Sequence, residues 1–171
     1  ESFEEWTAGS TEAFAGWTLV DGDGANISAY AGFGSSAPMA FMTSNNSKIK
    51  PNTGSNYLVS PKNNSYRDYR DDWAISPEVV GGQTISFFVC QLGGYGMYGT
   101  TFEVCYSSTD NNVESFIVLE SKKHTATSWV EYSFTLPENA KYFAIHVIDN
   151  GDSTGDALAF DDITFQPGSV Q

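Results

Sequence analysis

The sequence has few basic residues and no long apolar runs, and these two shortages exclude several classes of protein. It has 8 Lys and Arg against 21 Asp and Glu, which gives a formal net charge of -13. A domain of that charge repels phosphate backbones and anionic membranes, so we expect no nucleic-acid partner. No apolar run reaches the length of about 18 residues that a membrane-spanning helix needs. The first residues lack the basic-then-apolar order of a signal peptide, so we expect any export signal to have been removed or to lie upstream in a longer precursor.

Cysteine and histidine are also scarce. Two cysteines are too few for a disulfide framework and are wrongly spaced for a zinc cluster. Neither histidine accompanies a Gly-x-Ser-x-Gly or His-Glu-x-x-His motif, so a catalytic triad has no support. We predict that His146 is a surface or hydrogen-bonded residue of a strand, and that His124 lies in a polar turn over residues 122–128.

Cys90 and Cys105 lie at similar distances on either side of a Gly-rich segment centred on residues 97–98. We predict that the flanking strands, residues 84–90 and 101–108, form a long hairpin. In a symmetric register the two cysteines lie opposite one another, and a cross-strand disulfide is geometrically possible. The alternative is two free, buried thiols that pack as small apolar side chains. The sequence leaves both open.

The residues that are abundant favour β-structure. Twelve Phe, nine Tyr and four Trp in 171 residues supply a core for one domain. Segments of alternating aromatic or β-branched residues are separated by Gly, Pro, Asn and Asp, as in strands joined by turns. The predicted strands are residues 2–6, 16–20, 56–60, 72–76, 84–90, 101–108, 116–119, 129–136, 141–148 and 157–165, with one or two short strands at most between residues 25 and 56. No helix is required.

This spacing predicts an all-β fold, a jelly-roll β-sandwich of two antiparallel sheets. We expect a single lectin-like domain over residues 1–165. Residues 166–171 read as a C-terminal linker or tail. Within the last strand, Asp161 and Asp162 interrupt an apolar run, and we predict a bulge there that lets both Phe160 and Ile163 reach the core.

Several segments in a fixed order carry a family resemblance. These are Ser2-Phe3-Glu4, Asp72-Trp73-Ala74-Ile75-Ser76-Pro77, Ile85-Ser86-Phe87-Phe88-Val89-Cys90, Val104-Cys105-Tyr106-Ser107-Ser108, Leu136-Pro137-Glu138-Asn139-Ala140 and Phe160-Asp161-Asp162-Ile163. Together they resemble the cleaved-adhesin domains of gingipain proteases and haemagglutinins over nearly the whole chain. The resemblance implies a jelly-roll sandwich similar to MAM domains, used as a non-catalytic, calcium-binding module of exported bacterial surface proteins.

The resemblance also implies which residues hold structural Ca²⁺. It carries over Glu4 and Asp161 as side-chain ligands, with Asp21 and Asp23 as candidates from the following turn, although Asp162 is an alternative to Asp161. Calcium takes six to eight oxygen ligands, which such acids supply. Taken alone, Asp21-Gly22-Asp23-Gly24 is only a tight turn, because it lacks the remaining acids of an EF-hand loop. We expect calcium to join the first and last strands and to stabilise the fold.

Function is expected to depend on the loops. Exposed tyrosines can stack on sugars or receive protein side chains, and the candidates are Tyr95, Tyr98, Tyr66 and Tyr69. We therefore expect a cell-surface or secreted module, joined to other domains of a longer chain, that binds carbohydrate or an extracellular protein. The alternatives are a glycan-active hydrolase that uses carboxylates such as Glu103, Glu114 and Glu131, and a purely structural spacer.

Overall fold

The computed structural model describes residues 1–13, 15–24, 39–47, 49–62, 70–92, 99–148 and 157–168. In these ranges the strands are β1 (Thr18–Asp21), β2 (Met42–Ser44), β3 (Tyr57–Ser60), β4 (Asp71–Ile75), β5 (Thr84–Gln91), β6 (Thr100–Ser107), β7 (Ile117–His124), β8 (Val130–Thr135), β9 (Tyr142–Ile148) and β10 (Leu158–Thr164). The described helical structure is one 3-10 turn at Val113–Ser115, and no helix in these ranges is long and apolar enough to cross a membrane.

Two antiparallel five-stranded sheets form the sandwich and confirm the predicted all-β jelly roll. The first has the order β1-β4-β9-β6-β7 and the second the order β2-β3-β10-β5-β8. Alternate residues of each strand point between the sheets, where Phe87, Phe102 and Phe160 contact one another with ring centroids 5.8 to 5.9 Å apart. All three side chains are fully buried. Burial of such aromatic surface is the main stabilising term.

The outer face of each sheet carries its own smaller apolar cluster. On the first sheet, the cluster comprises Trp73, Ile75, Cys105 and Ala144, with Val20, Val113 and Phe116 packed against them. On the second sheet, it includes Tyr57, Val59, Cys90 and Ala159, with Trp129 packed against them. Each sheet is therefore apolar on both faces over part of its area. This explains why the sequences of several strands are continuous apolar runs.

The predicted hairpin between residues 84–90 and 101–108 is wrong. β5 pairs with β8 and β10, whereas β6 pairs with β7 and β9 in the other sheet. The chain crosses between the sheets, as jelly-roll strands do, instead of turning back. Cys90 and Cys105 consequently lie in clusters on opposite outer faces of the sandwich, and both are free and buried. The alternative of two free, buried thiols is therefore correct, and there is no disulfide between Cys90 and Cys105.

Two further predictions about local structure are also wrong. Residues 2–6 form a turn, closed by the Trp6 amide donating to the Phe3 carbonyl at 3.1 Å. The turn brings the Phe3 and Trp6 rings together at 5.1 Å in the core, which an alternating strand cannot do for residues three apart. β7 continues to His124, which is buried and donates from Nε2 to the Ala126 carbonyl at 2.7 Å. Burial lowers the pKa of His124.

The predicted bulge in the last strand is confirmed. The register of β10 against β5 shifts between Asp161 and Thr164, and Asp162 has a φ of 49°. The extra residue lets Phe160 and Ile163 both enter the central core. Residues 166–168 bond to the segment 78–83, for example through the Gly168 amide and the Glu78 carbonyl at 2.7 Å, whereas residues 169–171 lie outside the described ranges.

Candidate functional site

A cluster of three carboxylates lies where β1 pairs with β4. Asp21 is opposite Asp72 in the register of these strands, and Asp23 follows in the turn after β1. One carboxylate oxygen from each of the three lies within 4.8 Å of the others. We call this set the acid cluster. It brings together two of the residues predicted from the sequence, Asp21 and Asp23, with a third that was not predicted.

The third member, Asp72, has an unusual environment. Its side chain is 1% exposed, and Ser60 Oγ, from the opposite sheet, donates to its Oδ2 at 2.8 Å. Among the described residues, its Oδ1 is buried and has no hydrogen-bond partner. Burial raises the pKa of Asp72 to about 9, although the nearby charge of Arg70 acts in the opposite direction. Burial also raises the pKa of Asp21, where Asp23 adds repulsion.

The turn that carries Asp23 is built to fit closely against β4. The Gly24 amide donates to Asp21 Oδ1 at 2.8 Å, and the Asp71 amide donates to Asp23 Oδ1 at 3.0 Å. Gly24 has a φ of +62°, a conformation that favours glycine. At Gly22, an added Cβ would lie 2.3 Å from Asp71 Oδ2 and 2.8 Å from its carbonyl oxygen, so only glycine allows this approach. The predicted tight turn is therefore present, and it also orients the acids.

The other two predicted ligands, Glu4 and Asp161, both contact the segment 52–56. Asp161 is fully buried, and its Oδ2 accepts the amides of Asn52 and Thr53 at 3.1 and 3.2 Å. Glu4 Oε1 accepts the amides of Ser55 and Asn56 at 3.0 and 2.9 Å. The two acids thus attach the N-terminal segment and the last strand to one shared loop.

The first and last described segments also bond to each other directly. The Ile163 amide donates to the Glu1 carbonyl at 2.8 Å, and the Glu1 nitrogen donates to the Ile163 carbonyl. Beside this pair is an open cleft of about 480 Å³, lined by Glu1, Ser2, Glu4, Glu5, Asp162, Ile163 and Thr164. Burial raises the pKa of Asp161 to about 7, and the amides of Thr53 and Asp162 partly offset this effect.

The four predicted calcium ligands therefore do not form a single site. Asp21 and Asp23 belong to the acid cluster, whereas Glu4 and Asp161 contact the segment 52–56. Within the described residues, the groups of at least three acidic, His or Cys side chains that could hold a metal include neither Glu4 nor Asp161. Asp161 has amide donors on both oxygens, because the Asp162 amide donates to its Oδ1 at 2.8 Å. Calcium at Glu4 and Asp161 stays a prediction, and the acid cluster is the better-formed oxygen site.

A second buried polar group lies on the outer face of the first sheet. His146 Nδ1 is hydrogen-bonded to Glu103 Oε1 at 2.9 Å, and its Nε2 to Asp71 Oδ1 at 2.5 Å. Its ring stacks on Trp73, with centroids 3.9 Å apart and planes 14° apart. The Trp73 indole donates to the same Asp71 oxygen at 2.9 Å. His146 is a hydrogen-bonded residue of a strand, which was one of the two expectations for it.

Some predicted site residues cannot be located and others were missed. Tyr66, Tyr69, Tyr95 and Tyr98 all lie outside the described residues. Sequence reasoning missed Asp72 as a member of the acid cluster. A signal for it was present, because Asp72 alternates with the buried Ala74 and so points between the sheets.

The fold defines the class as a jelly-roll β-sandwich of two antiparallel sheets, and comparisons with known proteins identify the family. The family model described as Cleaved Adhesin Domain matches residues 1–165, and the chain belongs to this family. A sequence comparison with curated proteins gave no match.

Solved structures share the fold at low sequence identity. The K2 cleaved adhesin domain of Lys-gingipain has a TM-score of 0.75 at 22% identity, over 98% of this chain and 97% of that one. The K1 domain of Lys-gingipain from Porphyromonas gingivalis W83 has a TM-score of 0.71 at 19% identity, over 99% and 97%. The carbohydrate-binding module TmCBM61, solved in complex with β-1,4-galactotriose, has a TM-score of 0.54 at 13% identity, over 96% and 94%.

The contacts of Asp161 predict that it stabilises the fold without any metal. In the presence of chelator, Asp161→Ala removes the buried acceptor of the amides of Asn52, Thr53 and Asp162, and we expect it to lower the free energy of unfolding by roughly 3 kcal/mol. Glu4→Ala should cost about 1 kcal/mol, because Glu4 and Ser55 are exposed and water can replace the carboxylate at the Ser55 amide. Urea denaturation measures both.

The exposed neighbour Glu5 supplies the control. Glu5→Ala should change stability by no more than about 0.5 kcal/mol. An Asp161→Ala variant as stable as Glu5→Ala in chelator would contradict the hydrogen-bonding role.

Proposed function

We infer that this domain is a non-catalytic, calcium-stabilised binding module of a secreted or cell-surface bacterial protein. The observation that carries this conclusion is the match of the adhesin family model across residues 1–165. The charge of -13 agrees with a surface that avoids nucleic acid. Within the described residues, Glu103 is hydrogen-bonded to His146, so it is not a free acid facing a cleft. This hydrogen bond argues against a hydrolase that would use Glu103 as one of its two carboxylates.

The chemistry of the acid cluster supports calcium at Asp21, Asp23 and Asp72. All three offer carboxylate oxygens, the ligands that calcium prefers. The buried Asp72 Oδ1 has no partner among the described residues, and an unpaired buried carboxylate is costly unless a cation or a proton neutralises it. Bound calcium would supply that charge and would remove the repulsion between the acids. Its role would be structural, since it would join the β1 edge to β4.

Calcium removal and the isosteric substitution Asp72→Asn should have opposite effects on stability. In the wild type, calcium at about 100 times its Kd adds roughly 2.7 kcal/mol to the free energy of unfolding, so chelator should lower the thermal midpoint. We expect Asp72→Asn to lose that calcium response. In chelator it should be at least as stable as the wild type, because the amide stays neutral at every pH, whereas the carboxyl of Asp72 must hold a proton to be neutral.

The exposed acid Glu131 of β8 provides a matched control. Glu131→Gln should keep the full calcium response in the same melts. A wild-type midpoint that chelator leaves unchanged, together with no metal in elemental analysis, would contradict structural calcium.

The ligand is proposed to be a carbohydrate or an extracellular protein. The module TmCBM61, which shares this fold, was solved with β-1,4-galactotriose, and aromatic side chains on loops are a common means of binding sugars. We assign the contact to Tyr95 and Tyr98, with Tyr66 and Tyr69 as further candidates. In the sequence, Tyr95 and Tyr98 have glycines at positions 94, 96 and 99 as direct neighbours.

Binding assays distinguish this function from its alternatives. On glycan arrays and extracellular-matrix proteins, a binding module shows saturable affinity without turnover, a hydrolase converts a glycan, and a spacer does neither. Each aromatic contact contributes roughly 1 kcal/mol, so the double substitution Tyr95→Ala with Tyr98→Ala should weaken binding by about tenfold or more. Undiminished binding by a folded double variant would exclude these two residues.

A further inference from the structure

The outer face of the first sheet holds three potential metal ligands that the acid cluster does not use. Glu103 and Cys105 are on β6 and His146 is on β9, and one ligand atom from each lies within 4.8 Å of the others. Glu103 is directly opposite His146 in the register, and Cys105, two residues further along β6, points to the same face. Strand pairing, and not a loop, therefore fixes their positions.

We propose that Glu103, Cys105 and His146 bind a thiophilic divalent transition metal, with zinc as the reference ion. Zinc is bound by cysteine sulfur, histidine nitrogen and carboxylate oxygen. Calcium takes oxygen ligands only, so this site is chemically distinct from the acid cluster. Three protein ligands leave a fourth position of a tetrahedral ion for water.

Asp71 orients the histidine in the way that metal-binding histidines require. Its Oδ1 accepts from His146 Nε2 at 2.5 Å, while Nδ1 faces Glu103. A metal-bound histidine almost always donates its other ring N–H to such a carboxylate, which fixes the ring and increases its basicity. The Trp73 ring, stacked on His146 at 3.9 Å, further restricts its rotation. This leaves Nδ1, on the side of Glu103, as the nitrogen that binds the metal in the proposed site.

Metal binding fixes the protonation of the three ligands. A ligating cysteine is a thiolate, a ligating glutamate is a carboxylate and a ligating histidine is a neutral imidazole. The proton of the Cys105 thiol therefore passes to solvent when the metal binds, as does any proton on His146 Nδ1. The bound group then has one carboxylate, one thiolate, one neutral imidazole and the dication, so its net charge is zero.

The surroundings suit a buried metal with one route of entry. Cys105 is fully buried among Trp73, Ile75 and Ala144, with Phe116 packed on the same cluster. An apolar shell of this kind limits water around a metal centre. On the other side, the side chains of Asp71 and Glu103 are 45% and 19% exposed, which leaves an approach for the ion.

Cobalt(II) is the probe that tests this site. The full chain is kept reduced, with calcium in excess to fill oxygen-only sites, and is titrated with cobalt while the near-ultraviolet charge-transfer absorption of a cobalt–thiolate bond is followed. We expect a saturable band at one cobalt per chain that zinc removes. Cobalt bound only by carboxylates does not give this band, so the titration does not detect cobalt at the acid cluster.

Substitutions identify which residues bind the cobalt. Cys105→Ser should abolish it, whereas Cys90→Ser, on the opposite face of the sandwich, should retain it. Glu103→Gln keeps the size of a partly exposed side chain and should weaken cobalt binding by at least about tenfold. No band in the wild type, a band that survives Cys105→Ser, or unchanged affinity in a folded Glu103→Gln variant would overturn the proposal.

Discussion

The need to neutralise the buried carboxylate of Asp72 constrains one end of the sandwich. The side chain lies between the sheets at 1% exposure, where Ser60 donates to it at 2.8 Å and Arg70, itself fully buried, donates to the Ser60 carbonyl at 3.1 Å. Asp21 and Asp23 add negative charge beside it. Since an uncompensated buried charge costs several kcal/mol, the fit of the β1 turn against β4 depends on a cation or a proton at this point.

Asp161 shows the other way in which this fold accommodates a buried acid. Its oxygens accept amides of Asn52, Thr53 and Asp162, and these donors partly offset the burial that raises the pKa of Asp161 to about 7. The bulge at residues 161–164 makes this possible, because it frees the Asp162 amide from the ladder and lets Phe160 and Ile163 both fill the core. Asp161 thus attaches the last strand to the segment 52–56 through hydrogen bonds, whereas Oδ1 of Asp72 has no hydrogen-bond partner among the described residues.

Much of the fold, but only part of the site, could be predicted from the sequence. Alternation and turn residues located nearly every strand from β3 to β10, since those signals are local. The sequence does not predict that β5 pairs with β10, because the same apolar pattern fits a hairpin or a crossing between sheets. The separation of Cys90 from Cys105 could not be predicted for the same reason. Alternation with Ala74 indicates that Asp72 points between the sheets, but its place opposite Asp21 depends on which strands become neighbours, as do the contacts of His146 with Asp71 and Glu103.

The most direct measurement of the central claim is anomalous diffraction from crystals of the full chain grown with calcium, recorded at a wavelength where calcium scatters anomalously. The account predicts a peak within about 2.3–2.6 Å of carboxylate oxygens of Asp21, Asp23 and Asp72. A map with no peak at the acid cluster, while the crystals contain calcium in excess, would contradict it.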